Sequence, residues 1–306
     1  MRFYILKNHT QFTSKEKKSM FKSFFKAIGA VLGFINNHVK ALLFLLFVGW
    51  LLSQSEADPT QMPNLAQVSL HGAIEDASQL VQSLHELEKD DSIKGVLLHV
   101  DSPGGALGPS VELMLAVKSL AKVKPVVAYG AGTMASGSYY ASIHAEHIMA
   151  NPGAFVGSIG VLFQAPNIRP LADKIGIEEQ VVTAGKFKQM GTFTRQWEAY
   201  EKEALQGLVD GAYDMFINDV STARGLDKTQ DTIFAQGQLF LAAQAKEIGL
   251  IDSVGGYLDA RKVIQNLSKI TEPRWKEPSK FEKALQKLEG QAKIWLGSIS
   301  YGLKAY

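Results

Sequence analysis

The 306-residue sequence contains no cysteine. That removes a thiol nucleophile, a disulfide framework and Cys-ligated zinc together. The absence fits an oxidising exterior without requiring one. Histidine is scarce: the seven are His9, His38, His71, His85, His99, His144 and His147, and none follows residue 147. The sequence also lacks internal repeats and low-complexity tracts, so a repeat architecture is excluded. Net charge is only +2.

That small charge is unevenly spread. Residues 1–40 hold eight Lys/Arg (Arg2, Lys7, Lys15, Lys17, Lys18, Lys22, Lys26, Lys40) and one acid, Glu16; this head carries +7 and leaves −5 for the rest. A basic head on a mildly acidic body bears on membrane topology, not on nucleic acid. The segment "ALLFLLFVGWLLSQS", Ala41–Ser55, has no charge. As a helix it spans roughly 22 Å, short of the ~30 Å hydrocarbon core. Lys40 can snorkel, and "AIGAVLGFI" upstream can lie in the interface. Positive charge before the segment, with Glu56 and Asp58 after it, predicts an inside N-terminus and an outside body. A signal peptide cleaved near Ala57 and a buried core helix are the competing readings, but the basic region is long for a signal peptide. The expected organisation is a basic cytoplasmic segment (1–40), a transmembrane signal anchor (41–56), a linker (57–63), a folded domain (64–268), and a C-terminal amphipathic helix with tail (269–306). The expected location is the cell membrane, single-pass, with the domain periplasmic or extracytoplasmic.

Hydrophobic residues make up 46% of the chain, ample for a core. "AQVSLHGAI", "IKGVLLHVD", "PVVAYG" and "HIMA" read as strands. "GSIGVLFQ" reads as turn plus strand, and "EEQVVTAG" as another strand. Helices are expected after "HGAI", over Val111–Leu120, after Ser136, over Gln196–Arg224, Leu239–Glu247 and Tyr257–Leu267, and past the break "TEPRWKEPSK", where Phe281, Leu285 and Leu288 share a face. In the long helix Trp197, Tyr200, Leu205, Leu208, Val209, Ala212, Phe216 and Val220 form an apolar stripe read as core packing. Strands alternating with helices predict an α/β fold with a largely parallel sheet and right-handed crossovers.

The chemistry centres on "GAGTMASGSYYAS", Gly130–Ser142. Ser136 falls between a strand and a helix, flanked by Ala135 and Gly137, small neighbours that leave it reachable. A serine nucleophile needs a base. His144 and His147 lie eight and eleven residues further on, roughly 12 and 16 Å of helical rise, too far for a hydrogen bond. His9 and His38 fall on the wrong side of the anchor; His71, His85 and His99 read as core or surface residues. Lysine is the other known partner. "TAGKFKQMGTFTR" offers Lys186 and Lys188 on one face of an extended segment, although from spacing alone either reads as solvated. A lysine base must be neutral; bringing an amine from ~10.4 to near neutrality takes about 4 kcal/mol, within reach of burial. An oxyanion hole needs two backbone N–H donors. Gly137 can supply one, and Gly104 or Gly105 of "DSPGG" the other, although "SPGG" alone is also a plain turn. Ser158 of "GSIGV" can orient an amine or simply serve a turn. Gly130, Gly132 and Ala135 match a dinucleotide fingerprint, G-x-G-x-x-A, but the next strand ends at Asn151, not at an acid, so this reading is set aside. No metal and no cofactor is expected.

Together "LHGAI", "VDSPGG", "MASGSYYAS", "GSIGV" and "GKFKQMGTFTR", in that order over Leu65–Leu267, make the sequence resemble the signal peptide peptidase A family of Ser–Lys peptidases (family S49) in its short, single-domain bacterial form. The resemblance implies Ser136 as nucleophile, Lys188, not Lys186, as general base, Gly137 with Gly104 (Gly105 not being separable from it) as oxyanion hole, and Ser158 orienting the lysine. It implies a Clp protease/crotonase-like fold of stacked ββα units behind an N-terminal transmembrane helix. It also implies a ring or dome homo-oligomer of up to eight subunits, in which serine and lysine can come from neighbours. Implied substrates are signal peptides remaining in the membrane and other apolar peptides, with no nucleic-acid partner. Ser138 stands where the family usually has glycine, and "GTFTR" lacks a proline common before the Thr/Ser-Arg pair; both bear on the substrate groove. The competing classes are a crotonase-type acyl-CoA enzyme, a non-catalytic membrane scaffold, and a related membrane-bound peptidase.

Overall fold

A computed structural model describes residues 62–276 and, before them, residues 26, 29, 33, 39, 41 and 43–48, which are helical. The chain divides into two units, Met1–Thr60 with Pro278–Tyr306, and Gln61–Glu277. Among the described residues no helix is long and apolar enough to cross a membrane. The expected anchor over 41–56 falls largely, and the expected terminal helix with Phe281, Leu285 and Leu288 wholly, outside the described residues.

The second unit begins with β1 (Leu65–His71), α1 (Ser78–Lys89), β2 (Gly95–Ser102), α2 (Leu107–Ala121), β3 (Val126–Ala135), α3 (Gly137–Ser142), β4 (His147–Ala150) and β5 (Phe155–Gly157). After a long irregular stretch broken only by α4 (Arg169–Ile175) come α5 (Ala199–Arg224), α6 (Asp231–Phe234), β6 (Leu239–Leu241), α7 (Ala242–Glu247), β7 (Ser253–Val254), α8 (Tyr257–Leu267) and β8 (Trp275–Lys276). The sheet runs β6-β5-β3-β2-β1-β8, with β4 also on β3 and β7 on β4. Every pairing is parallel except β5 with β6. The expected α/β class with a largely parallel sheet is therefore what forms.

Burial explains the pattern. In β2, "GVLLHVDS", both faces are covered, as suits a central parallel strand. On one face Val68, Leu98 and Val126 pack with Leu84, Leu113, Val117 and Tyr139 of α1, α2 and α3. On the other, Leu65, Leu97, Val127 and Tyr129 pack under Ala260 and Ile264 of α8.

Strand β3 sets up the site. Its first part, Val127–Gly130, pairs with β4, and its last part, Thr133–Ala135, with β5. Against β2 the register steps from Val100↔Gly130 to Ser102↔Met134, so two steps on β2 face four on β3. Such a bulge turns a strand. Gly132 sits in it, where a Cβ would lie 2.7 Å from Asp101 Oδ1. The glycines of the set-aside dinucleotide fingerprint thus lie inside a strand, not in a loop cradling a helix N-terminus.

Two expected strands do not form. β5 ends at Gly157, and "GVLFQ" and "EEQVVTAG" belong to no strand. From Leu162 to Lys188 every residue except Ala165 and Ala172 is exposed, Val182 completely. A strand-like sequence makes a strand only where a neighbouring edge accepts it, and neither segment is paired with a strand of this unit. The helix expected from Leu239 begins instead at Ala242, its first residues forming β6 against β5. In the expected break "TEPRWKEPSK", Trp275 and Lys276 pair with Leu65 and Ala66 of β1.

Candidate active site

The site lies where β2 and β3 end, at the carboxyl edge of parallel strands. β3 stops at Ala135 and α3 starts at Gly137, leaving Ser136 alone at the corner. Its backbone is at φ 52° and ψ −125°. A positive φ on a non-glycine residue costs roughly 1–3 kcal/mol and persists only where the surroundings impose it. Here Ser136 N–H donates to Gly157 C=O at 2.7 Å, and Ser136 C=O accepts from Tyr140 N–H at 2.9 Å.

The "DSPGG" turn packs directly on this corner. Gly104 has φ +91°, and a Cβ there would fall 2.6 Å from Gly137 N and 2.7 Å from Ser136 Cβ. A Cβ on Gly105 would fall 2.2 Å from Ile74 O, because Gly105 and Ile74 form a parallel bridge. A Cβ on Gly137 would fall 2.1 Å from the Ser110 hydroxyl. All three glycines are needed for close approach. The two turn glycines differ in their N–H groups. Gly104 N–H donates to Ser102 Oγ at 3.2 Å. Gly105 N–H and Gly137 N–H meet no acceptor among the described residues.

Ser138 closes the corner from beneath. Its hydroxyl is fully buried, accepts from Ala135 N–H at 2.8 Å and donates to Ser102 C=O at 2.7 Å. It bridges the end of β2 to the end of β3. Tyr139 and Tyr140 are also buried; Tyr139 donates to Leu250 C=O at 2.8 Å and Tyr140 to Asp219. Burial, and then for Tyr140 the Asp219 carboxylate, pushes both phenols up.

Ser136 opens into a cleft of about 710 Å³. Gly105, Gly137 and Ser158 line it with Ser136, so five of the six predicted site residues converge here, Gly104 packing behind the wall. Ser158 is at φ 50° with its N–H on Gln238 C=O at 2.7 Å, fixed by the β5–β6 edge. The far wall is α5, with Val209, Asp210, Tyr213 and Phe216. The stripe on α5 was expected to be core. It is so in part: Leu205, Phe216 and Val220 are buried, but Leu208 is 64% exposed and Val209 faces the cleft. Ser102, Ser110 and Ser138 escape a reading of local spacing, because each acts on a segment distant in sequence.

Lys188 is not brought to this cleft within the chain. It is exposed, in a turn where its N–H donates to Gly185 C=O at 3.1 Å. Lys186 lies elsewhere, its ammonium 4.4 Å from the centre of the Tyr200 ring. Among the described residues the cleft wall holds no lysine, arginine or histidine. No cluster of three His, Cys, Asp or Glu that could hold a metal occurs among them either.

Residues 118–271 match the model of peptidase family S49. A protease-named protein of Methanocaldococcus jannaschii is 40% identical over 198 residues, 65% of this chain and 64% of that one. A protein of Enterococcus faecium named as signal peptide peptidase SppA is 30% identical over 225 residues, 68% of this chain and 64% of that one. This chain thus spans a little under two thirds of each relative's length. Among solved structures, ClpP1 of Listeria monocytogenes is similar at 15% identity and a TM-score of 0.45, over 63% of this chain and 93% of that one. With half its length matched by the family model, the chain belongs to peptidase family S49, a family of serine peptidases.

Proposed function

We propose that the chain is a membrane-anchored serine endopeptidase in which Ser136 is the nucleophile and Lys188, supplied by a neighbouring copy, is the base. One observation carries this reading. A serine held at a strained strand-to-helix corner, with two free N–H groups beside it, opens into a cleft without amine or imidazole, while Lys188 stands exposed outside. A second copy would complete the site and desolvate the amine, as a lysine base requires.

In the proposed reaction the neutral Lys188 amine takes the proton of Ser136 Oγ as the oxygen attacks a peptide carbonyl. Gly137 N–H and Gly105 N–H hold the oxyanion. Gly105 is favoured over Gly104 because Gly104 N–H is already committed to Ser102. The Lys188 ammonium then protonates the departing amine, and a water activated by the same lysine hydrolyses the acyl-enzyme. Ser158, on the cleft wall, orients the incoming amine. The basic head and the uncharged segment 41–55 support a single-pass anchor with the catalytic unit outside the cell membrane. Apolar peptides, including signal peptides left in the membrane, suit the aromatic and aliphatic cleft wall.

Peptide hydrolysis by the detergent-solubilised full chain tests this. Ser136→Ala and Lys188→Ala should each lose activity by at least a thousand-fold. Ring mixtures of the two inactive variants should regain a measurable fraction, because some interfaces then pair an intact serine with an intact lysine. Full activity in Lys188→Ala would remove the base assignment; no recovery in proven mixed oligomers would place the dyad within one chain.

A further inference from the structure

The segment bearing Lys188 has no secondary structure to hold it: between Ile175 and Ala199 no residue belongs to a helix or strand. Its fastenings converge on the first turn of α5. Glu201, the third residue of that helix, is fully buried. Its Oε1 accepts from Arg195 Nη2 at 2.7 Å, and its Oε2 from Arg195 Nη1 at 2.7 Å and from Glu198 N–H at 2.8 Å. Arg195 Nη1 also donates to Gln196 C=O at 3.0 Å. The hydrogen bonds to Glu201 hold its carboxyl down at about 2. Nearby, Trp197 Nε1 donates to Thr192 C=O at 2.6 Å and Tyr200 OH to Lys186 C=O at 3.2 Å. These bonds grip the segment on both sides of Lys188.

An ion pair with one partner enclosed and the other, Arg195, 31% exposed is a poor device for stability alone, since solvent screens the attraction while the enclosed carboxylate bears the desolvation cost. What a two-pronged guanidinium–carboxylate contact adds is fixed orientation. We infer that Arg195 and Glu201 are positioning residues for the base: their fork clamps the Lys188 segment onto α5, so that the amine is presented at a fixed height and angle to the serine it serves. This rests on the reading of Lys188 as the base.

The test uses the solubilised full chain with Arg195→Gln, Glu201→Gln and Arg195→Lys, beside Lys188→Ala. Steady-state kinetics on a peptide are paired with amide hydrogen exchange across residues 185–195. Arg195→Gln and Glu201→Gln should lower kcat at least ten-fold with KM within two-fold, and raise exchange across 185–195 at least ten-fold while β1–β3 keep their protection. Arg195→Lys, which keeps the charge and loses the fork, should fall between them and wild type, and carries the same test should a glutamine variant fail to fold. Faster exchange with unchanged kcat would reduce the pair to a structural clasp and overturn the inference, as would unchanged exchange. An active Lys188→Ala would sink the base reading instead, with the exchange result still reporting whether the clamp exists.

Discussion

Ser138 shows how much of the site depends on a residue that does not line the cleft. Its hydroxyl reaches Ser102, 36 residues back, and also holds Ala135, with Ser136 on one side of the joint and the glycine turn on the other. Ser138→Ala would leave the Ala135 N–H and the Ser102 C=O short of a partner in a buried place, at about 1–3 kcal/mol. Urea denaturation should show a loss of that size, and kcat should fall while KM is kept. Ser136 and Gly137 stood out in the sequence as a small-residue corner, whereas "SPGG" alone also read as a plain turn and was tied to the serine only by the order of the motifs together. Ser138, Ser110 and Ser102 did not stand out, since their roles exist only once β2 and β3 lie side by side. The choice between Gly104 and Gly105 was equally hidden; it turns on which N–H is already engaged, a matter of a single bond to Ser102.

Strands and helices as far as β4 were read in the right places, although β3 runs on to Ala135, past the expected end at Gly130. After β4 agreement stops: β5, Phe155–Gly157, lies ahead of the strand expected in "GSIGVLFQ". The segment "EEQVVTAG" was read as a strand, but a strand-like sequence records a wish to be paired and not the presence of a partner. The opposite error occurs at the end of the unit. Trp275 and Lys276 sit in a proline-marked break, yet they pair with β1, and the junction is reinforced: Asn64 N–H donates to Arg274 C=O at 2.8 Å, and the Arg261 guanidinium lies 4.1 Å from the Trp275 ring centre. A chain ended after Ser268 should therefore melt several degrees below one ended after Glu277, because it loses this cover on β1. Equal melting temperatures in a calorimetric scan would show that β8 adds nothing to the unit.

Within the folded unit, the surface from Leu162 to Lys188 exposes many apolar side chains, with Leu162, Leu171, Ile175, Ile177 and Val182 each at least 60% exposed. Contiguous exposed apolar residues mark a contact, and this stretch carries the proposed base. Leu171→Asp and Val182→Asp, at side chains 60% and 102% exposed and thus of little weight to the single chain, should dissociate the proposed oligomer in analytical ultracentrifugation and abolish hydrolysis together. Retained size with lost activity would detach the two. A cleft that holds its nucleophile ready but has no amine on its own wall has a further consequence on the proposed reading. A newly made chain emerging at the membrane would be harmless to its neighbours. It would become a protease only in company, and crowding in the bilayer plane would act as the trigger.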